Sequence, residues 1–213
     1  MLEWLHMDNL KVKPIAEIDL LGSHPAMDFV NTVHSRFKDG NSDYLQSFAD
    51  LVAWHQRIGL ITATTGRQLL TSARSQPEQA EAILKFSIEV RELLYRIFLS
   101  VIQNKPQIKA DVDQLNQTVS NLRCCQQLVL AGQGMKFEWH IDTARLETML
   151  GPVVESAVEL LTSPRLNHVK ECPAPHGCGW LFLDTSRNGS RHWCSMKYCG
   201  NLAKVRKHRQ KVH

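Results

Sequence analysis

No run of 18 uncharged apolar residues occurs in this sequence, so no bilayer-spanning helix and no membrane partner are expected. Its first residues, MLEWLHMDNLKVKPIAEIDLLG, lack the basic start, apolar centre and small-residue cleavage site of a secretory signal, and the expected location is cytoplasmic. In that reducing compartment, six cysteines argue for metal rather than for disulfides. Internal repeats and low-complexity tracts are absent. None of the ten histidines stands at a spacing from serine, cysteine or carboxylate that makes a catalytic pair, so no enzyme is predicted. The most informative absence is of acid: beyond Asp184 there is no aspartate or glutamate, while Arg187, Arg191, Lys197, Lys204, Arg206, Lys207, Arg209 and Lys211 follow. The chain carries +4, so the residues up to Asp184 sum to −4, and a mildly acidic body is joined to a basic end suited to an anionic partner.

What is present is enough for a sizeable core. With 213 residues and 43% hydrophobic content, the chain fits one domain of ordinary size and a small second one. The expected class is mainly α, formally α+β, because apolar residues recur mostly at steps of three and four. From Asp43, residues Leu45, Phe48, Leu51, Val52 and Ile58 share a face, with Ser42 or Asp43 as cap and Gly59 as stop. A long helix is expected between Ser75 and Gln103, with Ser75 and Glu78 as a capping box, and a shorter one over 109–121. Residues 122–141 read as a half-buried hairpin around AGQG, with Cys124 and Cys125 as packing residues on opposite faces of a strand. A helix over 143–163 follows, kinked at Pro152, and SPRLNHVKE is the linker. Asp28 and Asn31, three residues apart in AMDFVNT, either form the polar end of a ligand pocket or tie a helix to neighbouring backbone.

The end of the chain carries the chemistry. Cys172, Cys178, Cys194 and Cys199 are separated by five, fifteen and four residues, two close pairs and a returning loop, as one tetrahedral zinc ion requires. His176 or His192 could replace one cysteine as ligand. Pro173, Pro175 and Gly177 suit the first turn, Gly200 follows the last ligand, and Asn188-Gly189 predicts a hairpin between WLFLD and SRHW with both central residues at positive φ. Past Cys199 no proline interrupts a helix over 201–211. Turn, hairpin and helix around one metal resemble a treble clef, and Trp180, Phe182 and Trp193 are too small a core to fold it without the ion. Four cysteines close the coordination sphere, which makes the zinc structural.

Lys204, Lys207 and Lys211 fall on one face of that helix and Arg206 and Arg209 on the next, with Arg187 and Arg191 flanking the hairpin turn as a second cationic patch and Lys197 also counted among the nucleic-acid-binding residues. Nucleic acid is the natural partner, and duplex DNA is favoured because the module offers few stacking aromatics, Trp180, Trp193 and Tyr198, for single-stranded RNA.

These residues are specific enough to suggest a family. CGWLFLDTSRNGSRHWCSMKYCGN resembles the CGNR zinc finger, and HPAMDFVNT with DYLQSFADLVAWHQRIGLIT resembles the ABATE domain that precedes it in bacterial proteins. The resemblance implies a helical sensor domain over 1–165, a zinc finger over 166–213, and a transcription regulator whose finger binds DNA and whose first domain answers a small-molecule effector or stress signal. It places the zinc ligands on the same four cysteines. The family signature ends in arginine, whereas this chain has Leu202, which implies either a lost phosphate or base contact or a local repacking. The competing readings are an interaction module whose basic tail docks an acidic protein, and an enzyme with an accessory zinc domain. A homodimer is compatible with the sequence and not required by it.

Overall fold

The computed structural model describes residues 14–36, 43–173 and 178–211. Seven helices in these segments, α1 Pro25–Val30, α2 Phe48–Arg57, α3 Ala63–Ser75, α4 Pro77–Ile102, α5 Lys109–Arg123, α6 Gly151–Leu161 and α7 Asn201–Lys211, are joined by two antiparallel hairpins. The hairpins are β1 Gln126–Ala131 with β2 Gly134–Trp139, and β3 Val169–Glu171 with β4 Leu181–Leu183. The mainly α expectation holds. Among the described residues, no helix is long and apolar enough to cross a membrane.

The shortest helix of the body sits at its centre. His24 caps α1 and Pro25 opens it, a position where the missing N–H costs nothing. Ala26, Met27, Phe29 and Val30 are fully buried, with α1 packed against α4, α6 and β4. Around it, α2 contributes Leu51, Val52 and Trp54, and α4 contributes Val90, Leu93, Leu94 and Phe98. The same core runs without a break into Cys172, Trp180, Phe182 and Cys194, so body and finger share one interior.

Several local expectations change. Asp43 does not begin α2; its carboxylate takes two hydrogen bonds from buried Arg91 at 2.8 and 2.7 Å, and Ser47 caps the helix instead. Ser42 lies outside the described residues. A helix not anticipated, α3, is capped by Thr62 and ends at Ser75, whose hydroxyl donates to Ser72 O rather than opening α4. Pro77 in the first turn of α4 explains why a new helix starts there. Pro152 likewise lies in the first turn of α6, after a 3-10 turn at Leu146–Leu150, and makes no kink. The β1–β2 hairpin has the expected turn, with Gly132 at φ 60°, but its apolar face is open: Leu128, Leu130, Met135 and Phe137 are exposed. Cys124 ends α5 instead of entering a strand.

Candidate metal centre and nucleic-acid interface

The four cysteine sulfurs converge within 4.8 Å of one another. Cys178 and Cys194 Sγ are 3.5 Å apart, Cys178 and Cys199 3.7 Å, and Cys194 and Cys199 3.5 Å. Tetrahedral bonds of about 2.3 Å to zinc place ligand sulfurs about 3.8 Å apart, so the cluster fits the ion with little adjustment. Cys172 and Cys194 are buried, and Cys178 and Cys199 partly so. Gly179, at φ 62°, supplies the left-handed residue that turns the chain after the second ligand. At Gly200 a Cβ would lie 2.7 Å from Met196 Sδ and 3.1 Å from Trp193 Cδ1, which explains the glycine after the last ligand. His192 is exposed with its ring edge-on to Trp193 and takes no part in the cluster. His176, Pro175 and Gly177 lie outside the described residues.

The loop between the ligand pairs folds differently from the expectation. WLFLD does not pair with SRHW. Instead β4 pairs with β3, residues assigned to the linker, in the register Val169 to Leu183 and Glu171 to Leu181. The Asn188-Gly189 turn is present, Gly189 N–H donating to Ser186 O at 3.1 Å, but only the glycine has positive φ. Buried Asp184 organises it. Its carboxylate accepts from Ser186 N–H and Oγ–H, Arg191 N–H and Lys170 Nζ, while Lys170 also donates to the carbonyls of Gly189 and Arg191. Burial pushes the Asp184 pKa up, but Lys170 and Ser186 outweigh it and hold the carboxyl below the usual range.

The other edge of β4 is closed by the body. Asn31 Nδ2 donates to Leu181 O at 2.8 Å and its Oδ1 accepts from Leu181 N–H at 3.0 Å, a side-chain amide standing in for a strand. Leu183 N–H donates to Gly22 O at 2.8 Å. Gly22 N–H in turn donates to Asp28 Oδ1 at 2.7 Å, and a Cβ on Gly22 would lie 2.6 Å from Met27 Cβ. Asp28 and Asn31 therefore carry backbone, and neither lines the cavities found in the body. Trp180 Nε1–H donates to Val33 O at 2.8 Å, and Arg36 N–H to Cys178 O at 3.0 Å.

Arg191 also belongs to this joint. Its guanidinium donates to Ser23 Oγ at 2.8 Å, Leu21 O at 2.7 Å and the carbonyls of Trp193 and Cys194, and it stacks over Phe182 at 4.4 Å. With its donors spent inside, it is withdrawn from the nucleic-acid set. Among the remaining basic residues, Arg187, Lys197, Lys204, Lys207 and Arg209 are exposed and Arg206 is half-buried. Lys211 ends α7 and its side chain lies outside the described residues. The helix grows from a π-helical turn, Met196–Gly200, whose Ser195 cap accepts from Tyr198 N–H, and it packs against that turn. Leu202 and Val205 do not seal α7 to the finger; they are 47% and 49% exposed. The contribution of Asn31, Lys170 and the Arg191 contacts to Leu21 and Ser23 has no local signal in the sequence, because those partners are distant along the chain; only the Asp184–Ser186 turn and the Arg191 bonds to Trp193 and Cys194 are local.

Residues 168–212 match the CGNR zinc finger family, and residues 23–164 match the ABATE family, described as "Putative stress-induced transcription regulator". No curated protein matches the chain. With two thirds of its length in the ABATE match, a CGNR finger directly after it and four cysteines placed to bind one zinc ion, the chain belongs to the ABATE family, in its zinc-finger-bearing form.

Proposed function

We propose that this protein regulates transcription by binding duplex DNA through α7 and the adjoining face of the finger, with the helical body as the part that receives a signal. The observation that carries this reading is the arrangement of Lys204, Lys207 and Arg209 on a helix projecting from the zinc module, with Arg187 and Lys197 exposed beside it and no acid beyond Asp184. An α-helix fits the major groove, and five cations reaching phosphates would give a log-log salt slope of about −4.5. Zinc contributes the fold of the support and no chemistry, since its four positions are filled by cysteine, and the reading assigns no catalysis to the chain. A signal acts on DNA binding only if it favours one arrangement of body and finger over another, and the segments around α1 that grip β4 are where such a difference would pass.

Leu202 sharpens the reading. It points outward, so arginine at this position in the family would reach an external partner rather than fill a core. Zinc-loaded protein titrated with random-sequence duplex DNA at several salt concentrations tests the proposal. Alanine at Lys204, Lys207 and Arg209 together should flatten the slope by about 2.7, and Leu202→Arg should steepen it by about 0.9. No binding at low salt, or a slope unmoved by the triple change, overturns the DNA reading.

A further inference from the structure

A cavity of about 430 Å³ opens on the helical body away from the zinc centre, at the joint where α5 ends and β1 begins. Its wall includes Phe86, Thr118, Asn121, Cys124, Arg145 and Glu147, and its size suits a small molecule. Two cysteines adjacent in sequence meet there. Because Cys124 keeps helical backbone angles as the cap of α5, the two side chains do not splay to opposite sides as they would in a strand, and their sulfurs are 3.8 Å apart. Arg145 Nη1 stands 3.7 Å from Cys124 Sγ and 3.8 Å from Cys125 Sγ, while its Nε donates to Glu147 at 3.1 Å. Cys124 is exposed and Cys125 is buried.

The two thiols are thereby made unequal. The hydrogen bond from Arg145, followed by that from Cys125, lowers the Cys124 pKa, whereas burial, with Cys124 beside it, raises that of Cys125. Cys124, exposed beside the guanidinium and 3.2 Å from Asn121 O, is the sulfur that gives up its proton more readily; Cys125, within reach of it, holds its proton more firmly. Packing alone does not call for a cation shared between two thiols at the mouth of a cavity.

We propose that Cys124 and Cys125 form a reactive dithiol site that is oxidised by hydroperoxides. The Cys124 thiolate attacks the terminal oxygen of ROOH. A sulfur–oxygen bond forms, the oxygen–oxygen bond breaks, and the departing alkoxide, its charge facing Arg145, takes a proton from solvent water and leaves as ROH. Cys124 is then a sulfenic acid, oxidised by two electrons while the peroxide is reduced. Cys125, losing its proton, attacks the Cys124 sulfur; the sulfur–sulfur bond forms, and the sulfenic oxygen leaves with that proton as water. The resulting disulfide joins Cα atoms only about 3.8 Å apart, below the usual range for such bridges, and strained disulfides are readily reduced by free thiols. The site therefore resets. Phe86 and Leu122 give the cavity an apolar flank that suits an organic hydroperoxide over hydrogen peroxide.

The test uses the zinc-loaded full chain, treated with equimolar hydrogen peroxide in one arm and cumene hydroperoxide in the other. A cyclic diketone traps sulfenic acid, free thiols are alkylated, and each cysteine is followed by peptide mass spectrometry. The expected result is oxidation of Cys124 ahead of the four zinc cysteines, ending as a peptide that has lost two hydrogens across Cys124 and Cys125, and faster with the organic peroxide. With Cys125→Ser the diketone adduct on Cys124 should accumulate. With Arg145→Gln the rate should fall about tenfold as the sulfur loses its cation, and Arg145→Lys should restore most of it. Arg145 is exposed, Cys125→Ser keeps nearly the volume of the buried thiol, and equal zinc content and circular dichroism confirm comparable folding. Oxidation of the zinc cysteines before Cys124, no adduct gain with Cys125→Ser, or a rate indifferent to Arg145→Gln overturns the proposal. Equal rates for the two peroxides overturn its preference for an organic substrate.

Discussion

Replacing Asn31 by alanine should cut the finger loose from the body before the body itself unfolds. The amide holds both the N–H and the C=O of Leu181, at 3.0 and 2.8 Å, in a place where Asn31 is 2% exposed and Leu181 is fully buried. Alanine deletes two hydrogen bonds and strands two peptide groups that water cannot easily reach, at about 1–3 kcal/mol for each unsatisfied group, or about 2–6 kcal/mol together. Set against the roughly 5–15 kcal/mol that holds a typical domain, this is a large share. Urea unfolding followed by tryptophan fluorescence, with a chromogenic chelator reporting zinc release in the same samples, resolves the two events. The midpoint should fall by roughly 1–3 M urea for a slope of about 2 kcal/mol per molar, and zinc should become accessible before the main transition. Asn31→Asp should recover little, since it keeps an acceptor for Leu181 N–H but aims a second oxygen at Leu181 O. A loss below about 0.5 kcal/mol, the size of an ordinary surface change, with zinc release still coincident with unfolding, would refute the idea that this amide joins the two parts.

Two further expectations concern protons and metal. His55 is fully buried, its Nδ1 bonded to Leu51 O, and burial lowers its pKa to about 4 from 6.5. The unfolded chain therefore binds more protons between those values, and this histidine makes stability rise with pH by up to about 3 kcal/mol across that window. Asp28 works oppositely: burial raises its pKa from 3.8 to about 6, so the folded state binds more protons there and stability falls as pH rises. Wild-type stability should be nearly flat between pH 4 and 6 from these two groups, while Asp28→Asn, followed by chemical denaturation at each pH, should show a clear rise; a flat profile in the variant contradicts the assignment. Removing zinc with a strong chelator should unfold the finger, exposing Trp180 and breaking its bond to Val33, so tryptophan emission should shift to the red and return on adding zinc; an unchanged spectrum after complete metal removal would show that the shared core alone maintains the module.

The zinc ligands and the basic helix were legible because each is written locally. Four cysteines at spacings of five, fifteen and four residues can reach one ion by short turns, and a stretch without acid or proline after Cys199 has few structures open to it. The stripes of α4 and α5 were legible for the same reason, since a helix answers only to its own periodicity. Choice of partner was not. β4 could be recognised as an apolar strand, but only the fold decided that it pairs with β3, because Lys170 meets Asp184 there and Asn31 and Gly22 close the opposite edge. Arg187 and Arg191 look alike in sequence; tertiary structure leaves one at the surface and spends the other between Leu21, Ser23 and the zinc loop. The same holds for Cys124 and Cys125, which a strand would separate and a helix cap brings together beside Arg145. Sequence alone determined which residues can bind metal and where positive charge accumulates, since composition and short-range spacing suffice for both. The burial of β4 against α1, and with it the union of finger and body, rests on contacts about 150 residues apart in the chain, whose free energy comes from excluding water between surfaces that no local pattern names.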